Sequence, residues 1–177
     1  LVEQGVPVFL ADIKGDLSGM ASPGEPGERI AARSADVGRD WQPTAYPVEF
    51  FTLGGQGTGI PVRASVSTFG PTLLAKVMGL NATQESSLGL VFHYADTKGL
   101  WLDTIPDLRA VVQFLTSTEG KADLKELGGL SSVTAGVILR ELVNFSAQGA
   151  DVFSGLPEFE AADLLRTAPD GRGLVSM

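Results

Sequence analysis

The densest chemistry in the chain is the run Asp12-Ile13-Lys14-Gly15-Asp16, which sets two carboxylates and an ammonium side by side directly after the apolar stretch Val6 to Ala11. A short, continuous apolar run after a glycine has the pattern of a strand buried on both faces of a parallel sheet. Ligands of open α/β sheets bind outside the carboxyl ends of such strands, so Asp12 and Lys14 stand where a bound phosphate would lie. The competing reading is a solvated strand-to-loop turn in which Gly15 supplies a positive φ. These residues by themselves leave both open.

Other constellations carry less. Gly54-Gly55-Gln56-Gly57-Thr58-Gly59 has the glycines of a phosphate loop, but Ile60-Pro61 follows where a Walker A loop needs Lys and then Ser or Thr. A dinucleotide fingerprint also fails, because Pro61-Val62-Arg63 opens no helix, and the stretch reads as a hairpin turn. His93 is the single histidine, with no nucleophile elbow near it, and reads as a packing residue within an apolar helix. The carboxylate pairs Asp12/Asp16, Glu158/Glu160 and Asp96/Asp103 lack a third ligand at metal spacing, so no metal site is expected. Arg140, on an otherwise apolar helix, suits an interface or an action in trans, although a surface partner four residues away is commoner. Trp41 and Trp101 read as core or rim anchors.

The elements that must position these groups follow from periodicity and punctuation. Val48 to Leu53 and Ile60 to Val66 read as the two strands of the hairpin, and Glu28 to Val37 as a short helix after a Pro/Gly-rich loop. From Pro71 the apolar spacing becomes helical. Asn81 or Thr83 can cap a helix burying Leu88, Val91, Phe92 and Ala95 and ending at Lys98-Gly99. Asp103 or Thr104 can cap another, with Pro106 in its first turn and Leu108, Val111, Val112 and Leu115 inside. Ser131 or Ser132 opens a further one, with Val133, Val137, Ile138, Leu142 and Phe145 on one face. Glu158 to Arg166 reads as a short amphipathic helix, and Ala168 to Gly171 as the turn into a last strand. The division is 1–70, an α/β core with a hairpin; 71–155, a helical insertion; and 156–177, a return into the core.

Composition limits the partners. The chain has 177 residues, 44% of them hydrophobic, enough for a substantial core. It has no cysteine, which excludes disulfides and thiolate metal sites and fits a reducing, cytoplasmic setting. The net charge of −8 supplies no evident stripe for nucleic acid. No apolar run approaches the roughly 20 residues of a membrane span.

Taken together, Gly5 to Gly19, Pro61 to Ser67 with Gly70-Pro71, Ser131 to Leu142 and Gly149-Ala150 resemble, in order and spacing, the bacterial HerA-like helicases of the carboxy-terminal type. The resemblance implies a partial RecA-like P-loop NTPase sheet with an all-helical insertion, lying between a Walker A loop ahead of Leu1 and a Walker B strand beyond Met177. It implies ATP and Mg2+ for the intact protein, a homo-oligomeric ring, and duplex DNA as a partner. By position it carries the catalytic acidic residue onto Asp12, with Lys14, Gly15 and Asp16 close to the nucleotide. Arg63 and Arg140 become candidates for an interface or for action in trans. Without the Walker residues, the 177 residues alone are expected to be inactive. The alternative is a stand-alone helical interaction module that uses no nucleotide.

Overall fold

In the structure, a computed structural model, residues 1–55, 57–124 and 128–177 are described. Gln56, within the expected glycine-rich turn, lies outside them. The chain divides into two compact units: Leu1–Thr52, Gly57–Ile60 and Glu160–Met177 form the first, and Leu53–Gln56 with Pro61–Phe159 the second.

The first unit is built on a parallel three-stranded sheet. Strands β1 (Val8–Phe9), β2 (Val48–Glu49) and β5 (Val175–Ser176) are ordered β1-β5-β2, with Val175 facing Val8 on one side and Val48 on the other. The last strand is therefore the central one, and both of its residues are fully buried. Parallel neighbours need long connections. The link from β1 to β2 carries helix α1 (Glu28–Asp36), and the link from β2 to β5 carries the whole second unit. The Val6–Ala11 run was expected to lie within the sheet and be buried on both faces. It pairs on one side only, and Phe9 is 61% exposed. An edge strand has no neighbour to cover that side.

At the amino ends of these strands the chain crossings are tight. The N–H of Gly173 donates to Val2 O at 2.8 Å, and a Cβ on Gly173 would meet Val6 O at 2.0 Å. Only glycine lets these two backbones approach so closely. Beside it Arg172 binds Asp170 at 2.8 Å, Ala45 O at 2.9 Å and Glu3 at 3.6 Å, tying three segments together ahead of β5.

Strands β3 (Phe51–Leu53) and β4 (Ile60–Val62) pair as the expected hairpin, although β4 stops at Val62 rather than Val66. It stops there because Ser65 is extended and its hydroxyl accepts from Thr68 N, which starts helix α2 (Val66–Val77). This helix begins before Pro71, but it kinks at Gly70 (φ 77°), so that Pro71 opens its second part.

Helices α3 (Ala82–Lys98), α4 (Ile105–Thr116), α5 (Thr118–Asp123) and α6 (Ser132–Ala147) complete the second unit. Local chemistry fixes their starts. Asn81 and Gln84 form a reciprocal capping box, Thr104 and Asp107 form another with Pro106 in the first turn, and Ser131 caps α6. Their apolar faces converge on Leu88, Val91, Leu108, Val112, Leu115, Ile138 and Leu142, all fully buried. Each such side chain contributes about 1.5–3 kcal/mol by leaving water. Three expectations are corrected. Val133 is 79% exposed, because it sits on the first turn of α6, opposite Ala135 and Ile138. Trp101 is 83% exposed, its neighbour Leu102 taking the buried place, and His93 is exposed between the buried Phe92 and Tyr94.

The expected helix at Glu158–Arg166 shrinks to one 3-10 turn, Ala161–Leu164, because Leu165 leaves helical geometry (φ −107°, ψ 36°). No helix among the described residues is long and apolar enough to cross a membrane. The crossing at Gly173 yields a direct prediction. Gly173→Ala lowers the melting temperature sharply, whereas Gly27→Ala, with open space around it, leaves it nearly unchanged; equal melting curves by circular dichroism would refute the close approach.

Candidate functional site

Because β1, β5 and β2 run in one direction, their carboxyl ends share one edge of the sheet. The ladder extends past the strand ends: Leu10 N donates to Ser176 O at 2.9 Å, Met177 N to Glu49 O at 2.9 Å, and Phe51 N to Met177 O at 2.7 Å. Asp12 follows two residues after Leu10, at the tip of β1, with its side chain half-buried.

The Asp12 carboxylate is turned back onto its own loop. Oδ1 accepts from Gly15 N at 2.8 Å and Lys14 N at 3.2 Å, and Oδ2 accepts from Leu17 N at 3.0 Å. Gly15 adopts φ 75°, the left-handed conformation that lets successive N–H groups converge on one anion. The Ser18 hydroxyl closes the turn on Gly15 O at 2.8 Å, and Tyr46 N donates to Met20 O at 2.9 Å, anchoring the loop to the segment ahead of β2. Partial desolvation raises the Asp12 pKa, but the amides of Leu17, Gly15 and Lys14 and a hydrogen bond with Asp16 outweigh it and hold the carboxyl below its ordinary range. This geometry realises the turn reading of the sequence and leaves Asp12 at the strand tip required by the ligand reading.

Lys14 and Asp16 are exposed at the same loop, and Ile13 between them is 98% exposed. Among the described residues no three His, Cys, Asp or Glu side chains are grouped so as to hold a metal ion. One residue escaped the sequence reading. Ser176, on the central strand, is fully buried and its Oγ has no hydrogen-bond partner. An unpaired buried hydroxyl costs about 1–3 kcal/mol, and in native structures such groups often mark a ligand or a bound water. The only sequence signal was a serine inside the apolar run Leu174 to Met177.

The two arginines belong to the second unit. Arg63 is half-buried, its Nη1 donating to Leu156 O at 3.3 Å, so it is not a free arm. Arg140 is exposed on α6, and the residues one turn to either side are Gly136 and Asn144, which offer it no carboxylate. Asn144 instead donates to Glu141.

A family model described as helicase HerA-like C-terminal matches residues 1–177. The chain belongs to this family, which places it among helicase- and translocase-related proteins. No curated protein and no solved structure matches it.

The Asp12 loop can be tested through its amides. In Asp12→Ala the amides of Lys14, Gly15 and Leu17 lose their acceptor and exchange with solvent faster than in the native chain. Because folding lowers the Asp12 pKa, its contribution is present above the unfolded value of about 3.9 and is lost only as pH falls through the lower folded value. Protection of Gly15 and Leu17, measured by two-dimensional NMR after correction for intrinsic exchange, therefore persists at pH 4 and fades below it. Loss already at pH 5 would contradict the hydrogen bonding.

Proposed function

We propose that the parallel sheet of the first unit is part of a RecA-like P-loop ATPase core, belonging to a ring-forming motor on duplex DNA. The observation that carries this reading is an anion-organising loop at the shared carboxyl edge of parallel strands, where open α/β sheets bind their ligands. Family membership supplies the helicase context.

In this reading Asp12 borders the triphosphate and is the catalytic acidic residue, kept ionised by its amides. Gly15 lets the loop fold around it, and the exposed Lys14 and Asp16 flank the nucleotide, Lys14 contributing charge toward phosphate oxygens. ATP with Mg2+ supplies the phosphoryl group and the charge neutralisation of its transfer. The residues here fit a flanking role. The edge offers a carboxylate and an ammonium, but among the described residues no set of side chains that would hold the metal by itself. The sequence contains no Gly-x-x-x-x-Gly-Lys-Ser/Thr run, so the 177 residues alone are inactive in this reading. Arg140, exposed and without a carboxylate partner among the described residues, suits the boundary between subunits better than the tethered Arg63.

The test is ATP turnover of the intact protein with and without duplex DNA. Turnover is stimulated by DNA and falls about a hundredfold or more in Asp12→Ala, a loss of the size seen when a positioned catalytic group is removed. Lys14→Ala and Asp16→Ala, which leave the three backbone amide hydrogen bonds to Asp12 in place, reduce turnover more modestly with unchanged melting temperature. Native turnover in all three variants would refute the site, and turnover by the 177-residue chain alone would refute its incompleteness.

A further inference from the structure

Within the second unit, α2, the start of α4, the end of α6 and the segment around Phe153–Phe159 surround a cavity of about 470 Å³. Its walls are mainly apolar, with Leu74, Ile105, Phe145, Phe153 and Phe159 among them. Backbone pairing builds one side: Ala64 N donates to Phe153 O at 2.9 Å, Gly155 N to Ala64 O at 3.2 Å, and Phe159 N to Arg63 O at 2.9 Å. The volume falls within the range of about 300–1,000 Å³ typical of small-molecule sites.

One charged side chain lines this cavity, and it is incompletely satisfied. Arg63 commits Nη1 to Leu156 O, while its Nε is buried and has no acceptor. Glu158 precedes Phe159, whose N–H donates to Arg63 O, but its carboxylate is taken by Ser65 N at 2.8 Å and by the Thr68 hydroxyl at 2.8 and 3.1 Å. Arg63 forms no ion pair with Glu158 or any other acid among the described residues. A part-buried guanidinium without a carboxylate is unusual, because removing a charge from water is costly unless it is paired. Nε is closed off from water, which leaves Nη2, without a hydrogen bond among the described residues, to take a carboxylate oxygen through a charge-assisted hydrogen bond. Gln148 is the other long polar side chain at the cavity.

We propose that this cavity binds a small carboxylic acid with an apolar body, its carboxylate on Nη2 of Arg63 and its hydrocarbon part among the phenylalanines. The site lies wholly in the helical unit and does not depend on the nucleotide reading.

Decanoate and decanol are titrated separately into the 177-residue chain by isothermal calorimetry. Decanoate binds saturably with one site per chain, and decanol, which lacks the anion, binds about tenfold or more weakly, as expected for losing hydrogen bonds to a charged group. Arg63→Gln abolishes the preference for the acid. Val77→Trp, on an exposed position that lines the cavity, fills it and removes binding of both compounds, which keeps the test decisive if Arg63→Gln fails to fold. No saturable binding, equal affinities for acid and alcohol in the native chain, or native decanoate binding by Val77→Trp each overturn the proposal. So does self-association of the native chain that Val77→Trp abolishes in sedimentation, because it assigns the cavity to a second copy.

Discussion

The first unit depends on the burial of Val175 and Ser176 between two parallel neighbours. These residues come near the end of the chain and hydrogen-bond on both sides to segments more than a hundred positions earlier, Ser176 O accepting from Leu10 N and Val175 N donating to Pro47 O. Few residues take part, so each bond matters, and the sheet forms only if the backbone ahead of β5 passes close to Val6. Gly173 permits that approach, and Arg172 fastens it by holding Glu3, Ala45 and Asp170 around one guanidinium. Several partners on one guanidinium fix geometry better than an isolated surface pair, which contributes at most about 1 kcal/mol.

That arrangement decides which groups share the carboxyl edge. With all three strands running one way, the loop after β1 emerges at the carboxyl edge, and the Asp12 carboxylate gathers three amide donors into a fixed turn. The same hydrogen bonds keep it ionised and hold Lys14 and Asp16 outward. Ser176, the last residue of the central strand, buries an unpaired hydroxyl, which a purely structural sheet would more economically replace by an apolar side chain.

The helices were far more legible in the sequence than the sheet, for a physical reason. Asn81 with Gln84, Thr104 with Asp107, and Ser131 specify helix starts within four residues, and the buried positions of α3 and α4 recur at helical spacing. Strand order has no such local code. Nothing in Val6 to Ala11 says that its partner is Val175 or that Phe9 stays uncovered, and nothing in Leu174 to Met177 says that it is central. The Asp12 turn was legible as one of two readings, since Asp-x-x-Gly suits an anion-centred turn and a ligand loop alike. The unsatisfied Arg63 was not legible, because its isolation depends on Glu158, distant in sequence, being occupied elsewhere. Function was legible mainly through the family resemblance, to which the chain's full length conforms.

The account's central claim is that the carboxyl edge bearing Asp12 faces the triphosphate of the intact protein. An ATP analogue carrying a photoreactive group on its γ-phosphate tests this most directly, with the adducts mapped by mass spectrometry. The account places the label within Asp12 to Ser18, and excess ATP suppresses it. Labelling confined to the Arg172 turn at the opposite end of the sheet, or to the helical unit, would contradict it.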